Sequence, residues 1–258
     1  MEKINVIKVG GAVVEDQQQL SLLLKEFSAI EGRKVLVHGG GRRATKVASQ
    51  LGIETQMVDG RRITDKAMLE VVTMVYGGLV NKNVVAQLQA EGINALGLTG
   101  ADINVIRSHK RPLKNGIDYG FVGDVDHADG NMLKTLIEAG IVPVMAPLTH
   151  DGKGNMLNTN ADTIASETAK ALAPYYDVTL TFCFEKKGVL VNPDDDDSVI
   201  PVITPQLFRK YVADGTISGG MMPKIENSLA ALNAGVKQVV ITKADTLGSQ
   251  TGTKIVAE

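Results

Sequence analysis

The chain of 258 residues contains a single cysteine, and a lone thiol cannot form an internal disulfide. Since Cys183 lies within an apolar run, we interpret it as a small buried residue rather than a reactive thiol. No apolar stretch has the length of a membrane span, and no signal peptide is recognisable. The net charge is only -2, so the basic surface typical of nucleic-acid-binding proteins is missing. We therefore expect a cytoplasmic globular protein that binds neither nucleic acid nor membranes.

Familiar phosphate-binding and metal-binding motifs are absent as well. The glycine that follows Gly41 is Gly52, so the dinucleotide fingerprint G-x-G-x-x-G does not occur, and neither does the phosphate loop G-x-x-x-x-G-K-[ST]. The four histidines are not spaced as the ligands of a zinc site would be. The unspaced acids Asp194–Asp197, which follow a proline, favour a solvated loop over a metal site. We predict no metal that the protein holds by its own residues alone.

The sequence does contain a regular alternation of short apolar runs with helical patterns. Runs rich in β-branched residues predict buried strands, whereas apolar residues three or four positions apart predict helices. Strands are predicted at Ile4–Val9, Lys34–His38, Ala95–Leu98, Ile141–Ala146, Val178–Phe182, Gln238–Thr242 and Thr253–Val256. This alternation predicts an α/β fold with a mostly parallel central sheet and helices on both faces. A change in character after Pro174 predicts an N-terminal lobe, residues 1–174, and a C-terminal lobe, residues 175–258.

Glycine pairs and triplets mark three turns of this pattern. Gly10-Gly11 follows the first strand, Gly39–Gly41 follows the second, and Gly219-Gly220 precedes a long helix. Glycines at the carboxyl end of a buried strand let the backbone approach a ligand, and a following helix adds the positive end of its dipole. Two such turns meeting at one crevice would suit two anionic partners.

Cationic and amide side chains lie next to these turns. Lys8 stands at the end of the first strand, where a lysine must reach solvent or meet an anion, and we interpret it as a cation aimed at phosphate. Arg62 precedes a helix and is able to bind a carboxylate through two hydrogen bonds, although a solvated loop arginine fits the sequence equally well. Asn160 is a suitable N-cap with Asp162 in the first turn of its helix, and the additional amide of Asn158 favours a binding site there.

The segment Ile103–Val125 differs from the rest because it is polar and interrupted by glycines. Within it, Val105–Arg107 and Gly120–Gly123 predict the two strands of a hairpin. An insertion of this kind beside a site often serves as a lid over a small ligand.

The chain resembles the amino-acid kinase superfamily in five elements that occur in the family order: Lys8 with Gly10-Gly11, His38-Gly39-Gly40-Gly41, Gly60-x-Arg62, Asn158-x-Asn160-Ala161-Asp162, and Gly219-Gly220 with Lys224. Within the superfamily it is most similar to the branch that phosphorylates N-acylated glutamate, and the match covers nearly the whole chain. The resemblance implies an open αβα sandwich whose N-terminal lobe holds the acylated amino acid and whose C-terminal lobe holds MgATP. The implied reaction is ATP-dependent phosphorylation of the γ-carboxylate of N-acetyl-L-glutamate in arginine biosynthesis. The Mg²⁺ would be held mainly through the nucleotide phosphates.

The resemblance also implies roles for particular residues. Lys8 and Lys224 match the lysines that stabilise the transferring phosphoryl group, Asp162 the carboxylate that orients both, and Gly11 a backbone N–H near the phosphate. The acylglutamate would be bound at Gly40, Gly41, Arg62 and Asn158. The nucleotide would be bound at Gly10, Glu185, Gly188, Leu190, Thr216, Ile217, Ser218, Gly219 and Gly220.

Three departures and local features modify these expectations. Phe184–Lys187 replaces the start of the Thr-Asp-Val-x-Gly-Val pattern usual in the family, which leaves the nucleotide contacts there open. The chain begins at its first strand, without the N-terminal helix of the arginine-inhibited hexameric branch, and this implies a homodimer without arginine feedback. Arg61 adds a cation beside Arg62, and it raises the hypothesis of a negatively charged acyl group such as succinyl, against the alternative of a solvated arginine.

Two other kinds of function fit the sequence. One is a different superfamily activity, a carbamate, aspartate, glutamate or uridylate kinase, and the Gly60-x-Arg62 element and Asn158–Asp162 weigh against it. The other is a non-catalytic sensor of nucleotides or amino acids, and the presence of both lysines weighs against that.

A γ-carboxylate has a pKa of about 4.3 and is ionised at neutral pH, so the implied reaction needs no general base.

Overall fold

One large sheet forms the middle of the molecule. The structure is a computed structural model that describes residues 1–58, 60–219, 221–247 and 251–257. Its strands are β1 (Lys3–Val9), β2 (Arg33–His38), β3 (Met57–Val58), β4 (Arg61–Arg62), β5 (Ala95–Leu98), β6 (Ile106–Lys110), β7 (Gly123–Ala128), β8 (Val142–Met145), β9 (Leu148–His150), β10 (Met156–Asn158), β11 (Asp177–Phe184), β12 (Val202–Ile203), β13 (Gln238–Lys243) and β14 (Thr253–Ile255). Within the described residues, eight of them join in the order β12-β14-β13-β11-β1-β2-β8-β5. Only the β13–β14 pair of this sheet is antiparallel, so the prediction of a mostly parallel sheet is confirmed.

Helices cover both faces of this sheet. They are α1 (Gly11–Glu15), α2 (Gln17–Ala29), α3 (Gly41–Gln50), α4 (Lys66–Val72), α5 (Asn81–Ala90), α6 (Gly130–Glu138), α7 (Ala161–Leu172), α8 (Pro205–Ala213) and α9 (Met221–Asn233). The sequence predicts separate helices at Ala67–Val75 and Leu79–Glu91, but a π-helix, Thr73–Val80, joins α4 to α5 without a break. A side chain at Gly77 would come within 3.4 Å of Leu148 Cδ1. This glycine therefore permits close packing and does not end the helix.

The two faces of the sheet contribute to two separate apolar clusters. Along β1, Ile4 and Val6 pack into the cluster that contains the buried face of α7. Ile7 and Val9 pack into the cluster that contains the buried leucines of α2. Because side chains alternate along a strand, a single run of apolar residues supplies both layers. Burial of each such side chain contributes roughly 1.5–3 kcal/mol, which explains why this sheet anchors the fold.

A smaller sheet has the order β10-β9-β6-β7, and its strands β6 and β7 come from the glycine-rich insertion and the residues just after it. The predicted hairpin is present, because β6 and β7 pair antiparallel, but the prediction of its second strand at Gly120–Gly123 is wrong. The residues before β7 pair elsewhere: Thr64 N–H donates to the carbonyl of Tyr119 at 2.9 Å, and Phe121 N–H donates to that of Thr64 at 2.6 Å. These bonds tie the insertion to the segment after β4, and the strand begins only beyond them.

The central sheet continues across the proposed boundary between lobes. β11 lies beyond that boundary and pairs with β1 along its length, from Asp177 opposite Lys3 to Cys183 opposite Val9. The division into residues 1–174 and 175–258 stays a prediction. In the part of the chain that the structure describes, no helix combines the length and the apolar character needed to cross a bilayer.

Candidate active site

Three neighbouring parallel strands in the middle of the central sheet have their carboxyl ends side by side. β1 leads into Gly10-Gly11, β2 leads into Gly39–Gly41, and β11 ends at Phe184. β1 lies between the other two, and the remaining strands extend toward opposite edges. In open α/β sheets such a position leaves a crevice beyond the carboxyl ends of the strands, where ligands bind. Here the crevice is a cavity of about 520 Å³.

The first two glycine turns pack directly on each other at the base of this cavity. A side chain at Gly39 would approach the backbone nitrogen of Gly11 to 3.0 Å, and one at Gly40 would approach Tyr76 Cδ1 to 2.8 Å. A larger residue at either position would therefore displace the neighbouring turn or the Tyr76 ring. Gly40 is the N-cap of α3 and supplies no side-chain cap, so the first N–H groups of that helix are available to an anion.

Lys8 and Asp162 form an ion pair beneath the cavity. Lys8 Nζ lies 2.7 Å from Asp162 Oδ1, and the two side chains are only 8% and 15% exposed. Asp162 occupies the first turn of α7, where Asn160 caps the helix by accepting hydrogen bonds from the N–H groups of Asp162 and Thr163 at 2.8 and 3.1 Å. The N-cap predicted at Asn160 is confirmed. The carboxylate thus benefits from both the helix dipole and the lysine.

Lys224 comes from a different element and reaches the same place. Its Nζ lies 3.5 Å from the centre of the Phe184 ring, and Lys8 Nζ lies 5.0 Å from that centre. Burial lowers the pKa of Lys224, Asp162 opposes this effect, and Lys8 adds to it. The structure therefore brings the three charged side chains together. Asp162 forms its ion pair with Lys8 and none with Lys224 within 4 Å among the described residues.

Arg62 lines the cavity, but its guanidinium is largely engaged by the protein. Nη2 donates to the carbonyl of Gly41 and to Thr45 Oγ1, both at 2.9 Å, while Nη1 donates to Thr55 Oγ1 at 3.2 Å. The side chain is buried in the described structure, so the alternative of a solvated loop arginine is wrong. The guanidinium links the Gly39–Gly41 turn to the neighbouring segment, and a substrate carboxylate would have to share or replace these bonds.

Asn158 also has a partner inside the protein. Its side-chain Nδ2 donates to Thr64 Oγ1 at 2.9 Å, and its backbone N–H donates to the carbonyl of Phe121 at 2.9 Å. One N–H of this amide is therefore engaged, and the other is left to donate to a ligand. Asn158 still lines the cavity, at the point where the smaller sheet meets the central one.

The residues predicted to bind nucleotide are only partly brought to the cavity. Gly10, Glu185 and Gly188 line it. The side chains of Leu190 and Ile217 are buried, and Ile217 belongs to the core that contains α7. The structure does not bring Thr216, Ser218 or Gly219 into the cavity wall, and Gly220 lies outside the described residues. A side chain at Gly188 would lie 2.7 Å from Thr253 Oγ1, so close packing of the backbone also requires this glycine.

The acidic run after β11 is paired with lysines. Lys186 Nζ lies 2.9 Å from Asp196 Oδ1, and Lys187 Nζ lies 2.6 Å from Asp197 Oδ1. These pairs are exposed, in agreement with a solvated loop. Within the described ranges, no group of three or more His, Cys, Asp or Glu residues is arranged to hold a metal ion.

A buried histidine supports the second glycine turn. His38 Nδ1 lies 2.8 Å from the carbonyl of Gly39, and its Nε2 lies 3.1 Å from Asn81 Nδ2. Because a carbonyl oxygen only accepts, Nδ1 carries the proton and Nε2 accepts from the amide. Asn81 Nδ2 also donates to the carbonyl of Val144 at 3.0 Å. Complete burial lowers the pKa of His38 to about 4, so the ring is neutral at physiological pH.

Several residues of the cavity escaped the sequence analysis. Tyr76 lies over Gly40. Burial raises the pKa of Tyr76, and the neighbouring Arg62 guanidinium partly opposes this rise. Arg42 forms an exposed ion pair with Glu185 at 3.4 Å. Phe184 contacts both lysines through its ring. The position of Arg42 directly after three glycines was an available signal, whereas nothing local distinguished Tyr76 from an ordinary core residue.

Comparison with known proteins gives consistent results along the whole chain. The model of the family described as the amino acid kinase family matches residues 3–243. An acetylglutamate kinase of Phocaeicola vulgatus is 67% identical over 254 residues, which are 98% of either chain. A crystal structure from Streptococcus mutans UA159 is 32% identical, with a TM-score of 0.80 and 99% of each chain covered. A carbamate kinase of Giardia lamblia, solved with AMP-PNP, shares the fold with a TM-score of 0.70 at 17% identity, covering 100% of this chain and 99% of its own.

Proposed function

This chain belongs to the amino acid kinase family, and from that premise we propose that it transfers the γ-phosphoryl group of ATP to the γ-carboxylate of N-acetyl-L-glutamate in arginine biosynthesis. The relatives named acetylglutamate kinase are similar over nearly the full length of both chains. The structural observation that carries the proposal is the approach of Lys8 and Lys224 to one ring beside the two glycine turns.

The main obstacle to this reaction is charge repulsion. A carboxylate oxygen about 3 Å from a phosphoryl oxygen is repelled by roughly 5 kcal/mol per pair of unit charges at an effective dielectric constant near 20. Cations and N–H dipoles that are fixed in advance offset this repulsion where the charge develops. In our proposal Lys8 and Lys224 supply the cations, Gly11 and the first N–H groups of α3 supply dipoles, and Asp162 holds Lys8 in place.

ATP and the acylglutamate would occupy opposite sides of the cavity. Arg62, Asn158 and the Gly40-Gly41 backbone would bind the acylglutamate, and Glu185 and Gly188 would bind the nucleotide. The described residues include no group of three or more His, Cys, Asp or Glu residues that could hold an ion, and Mg²⁺ in kinases is bound largely through substrate phosphates. We therefore propose that Mg²⁺ enters as part of the substrate MgATP, held mainly through its phosphates.

The test is a coupled ADP-release assay on the purified protein with a panel of acceptors. We expect phosphorylation of N-acetyl-L-glutamate, and we expect no comparable turnover with carbamate, aspartate, free glutamate or UMP. Preference for one of those acceptors would assign the chain to another activity of its family. Tight ATP binding without turnover on any acceptor would replace the enzyme by a sensor.

A second candidate substrate, N-succinylglutamate, is favoured by the environment of Arg61. This side chain is half-buried and lines the cavity, and its guanidinium makes no hydrogen bond or ion pair with the described residues. The nearby Asp124 is already occupied by Arg111, whose Nε donates to both carboxylate oxygens at 3.0 and 3.2 Å. Burial and then Arg111 lower the pKa of Arg61, so a carboxylate at this place would be stabilised.

The ratio of kcat/KM for N-succinylglutamate to that for N-acetylglutamate distinguishes the two substrates. If Arg61 binds a succinyl carboxylate, Arg61→Gln lowers this ratio about tenfold or more, as expected for loss of a charge-assisted hydrogen bond. Arg43→Gln, outside the cavity wall, is the matched control. A clear preference of the wild-type protein for the acetyl compound would remove this candidate.

We also propose that the enzyme is a cytoplasmic homodimer. The helical run from α4 to α5 exposes the apolar side chains of Met74 and Leu79, which are 54% and 41% exposed in the single chain. Exposed apolar surface on a helix suits a second copy of the chain. Sedimentation velocity of the wild-type protein and of Met74→Glu tests this, since a monomeric wild-type protein would contradict it.

A further inference from the structure

Phe184 closes one wall of the cavity at the end of β11, on the same side of the sheet as Lys8. Its ring stacks on that of Phe182, with the centres 6.1 Å apart and the planes inclined by 12°. Phe182 lies opposite Lys8 in the pairing of β11 with β1. A side chain at Gly10 would lie 3.9 Å from Phe184 Cδ1, so the glycine turn borders the ring. The ring therefore has a defined place between the β1 turn and the lysines.

Lys224 lies where an ammonium group is poorly supported by its own helix. It belongs to the first turn of α9, and the positive end of a helix dipole disfavours a cation there. Among the described residues, no carboxylate lies within 4 Å of the Lys224 ammonium. Asp162 forms its ion pair with Lys8 instead. Burial and the charge of Lys8 both lower the pKa of Lys224, and Asp162 only partly compensates.

The Phe184 ring supplies a contact that these groups do not. The Lys224 ammonium lies 3.5 Å from the ring centre, and Lys8 lies farther away at 5.0 Å, although both distances are within the range of a cation–π interaction. Such a contact contributes roughly 0.5–1 kcal/mol when exposed and about 2 kcal/mol when desolvated. It acts in the direction opposite to burial and to the charge of Lys8, which both disfavour the ammonium form of Lys224.

We propose that Phe184 is a positioning residue, whose ring face holds the Lys224 ammonium beside the Lys8–Asp162 pair and stabilises its charged form. This inference deepens the proposed function and rests on it only where turnover is measured. Two charged groups act on the Lys224 ammonium, namely Asp162 of α7, which packs against α9, and Lys8 of β1. The described residues of α8, β13 and β14 contribute no such charge.

The first test measures the titration of Lys224 without any substrate. The protein is labelled with ¹³C at the lysine ε-carbons, and the Lys224 signal is assigned by its loss in Lys224→Arg. Phe184→Leu keeps an apolar side chain but removes the ring, and we expect it to lower the Lys224 pKa by about one unit, the equivalent of a cation–π contact. Phe184→Tyr keeps the ring face and should leave the pKa within about 0.3 units of the wild-type value.

Phe182→Leu is the matched control for this titration. It removes an aromatic ring from the same strand and breaks the same stack, but Phe182 carries no lysine on its ring. We expect it to lower the melting temperature while moving the Lys224 pKa by less than half of the shift in Phe184→Leu. If both leucine variants leave the Lys224 pKa unchanged, or shift it equally, Phe184 has no positioning role.

The second test separates positioning from nucleotide binding. Phe184→Leu should lower kcat about tenfold or more, with both KM values within about twofold, because the ring acts through a group needed in the transition state. Its alkaline limb of kcat should move to lower pH, and Phe184→Tyr should restore kcat. A raised KM for ATP with unchanged kcat would instead make the ring a nucleotide contact and overturn the proposal. Absence of all turnover in the wild-type protein would end the proposed function but leave the titration decisive.

Discussion

The two sides of the cavity are held by different kinds of contact. On the proposed acceptor side, formed by Gly39–Gly41, Arg62 and Tyr76, the Arg62 guanidinium is buried and donates hydrogen bonds to two residues of α3 and to Thr55. On the proposed nucleotide side, formed by Glu185–Gly188, the charged side chains form exposed ion pairs, such as that of Glu185 with Arg42. The first side is a buried hydrogen-bond network and the second is a surface charge network.

This difference has energetic consequences. A buried hydrogen bond contributes roughly 1 kcal/mol, and leaving its partner unsatisfied costs about 1–3 kcal/mol. An exposed ion pair typically contributes about 0–1 kcal/mol and is weakened by salt. The acceptor side is therefore preorganised, whereas the nucleotide side can rearrange at little cost. In the proposed function, the phosphoryl group passes from the nucleotide side to the acceptor side, and the charged residues that stabilise it are Lys8, Lys224 and Asp162.

The largest expected effect is at the lysines. Lys8→Ala or Lys224→Ala should lower kcat by about 100-fold or more, the loss typical of removing one preorganised charge or donor. Lys110→Ala, at an exposed position at the end of β6, is the control and should leave kcat unchanged. Steady-state kinetics with N-acetyl-L-glutamate provides the measurement, and near-normal turnover of either cavity variant would remove the mechanism.

The two lysine variants should nevertheless differ in stability. Lys8→Ala leaves the largely buried Asp162 without its ion partner, so the free energy of unfolding should fall by about 1–3 kcal/mol. Lys224→Ala removes no ion pair of the described structure, and the loss of its contact with the Phe184 ring is offset because a partly buried charge is also removed, so this variant should cost less. Urea unfolding of both variants tests this contrast, and equal losses would mean that Asp162 supports both lysines alike.

The second effect concerns acid stability of the acceptor side. His38 has a pKa of about 4 in the folded protein and an ordinary value of 6.5, so the unfolded chain takes up its proton first as the pH falls. Stability present above pH 6.5 is therefore lost between that pH and about 4, and the loss amounts to about 3 kcal/mol. Compared with His38→Asn, the wild-type protein should lose that much more free energy of unfolding between pH 7 and 4. Parallel curves for the two proteins would show that His38 does not titrate in this way, and His109→Asn serves as the exposed control.

The site residues that sequence could predict are those whose own neighbours in the chain define them. Lys8 ends an apolar run before two glycines, and Asn160 precedes a helix with Asp162 in its first turn, so each carries its signal locally. The parallel sheet follows from the alternation of strands and helices. In a parallel sheet the carboxyl ends of neighbouring strands lie together, so the glycine turns after β1 and β2 are expected at the same end of the sheet. These inferences required only local patterns and the geometry of parallel strands.

Other features depend on which distant residues meet, and local patterns do not contain that information. Arg62 looks like a free loop arginine until Thr45 and Thr55 are placed against it. Phe184 looks like the last residue of a buried strand until α9 brings Lys224 over its ring. Ile217 lies in a segment that resembles a nucleotide-binding stretch, yet its side chain is part of the core. In each case tertiary packing decides a role that composition and spacing leave open.

The third effect tests how far the acceptor side depends on the shape of a guanidinium. Arg62→Lys keeps the charge but cannot reach Gly41, Thr45 and Thr55 together. We expect the KM for the acylglutamate to rise about tenfold, with kcat changed less than about threefold, because ground-state binding is the main loss. Arg42→Lys, in the exposed pair with Glu185, is the matched control and should change neither value beyond about twofold. An unchanged acceptor KM in Arg62→Lys would separate Arg62 from substrate binding and leave it a purely structural link.

The smallest effect is expected at the Arg42–Glu185 pair, which is the most direct test of the contrast between the two sides. Both side chains are about 60% exposed and their charged atoms lie 3.4 Å apart, so water and salt screen the interaction. A double-mutant cycle with Arg42→Gln and Glu185→Gln should give a coupling energy of about 0.5 kcal/mol or less in the free energy of unfolding. The same variants should raise the KM for ATP less than threefold if Glu185 borders the nucleotide without carrying much of its binding energy. A coupling above about 1.5 kcal/mol, the level of a buried charged hydrogen bond, would mean that the nucleotide side is as firmly preorganised as the acceptor side. The rearrangement inferred for it would then have to come from another part of the cavity wall.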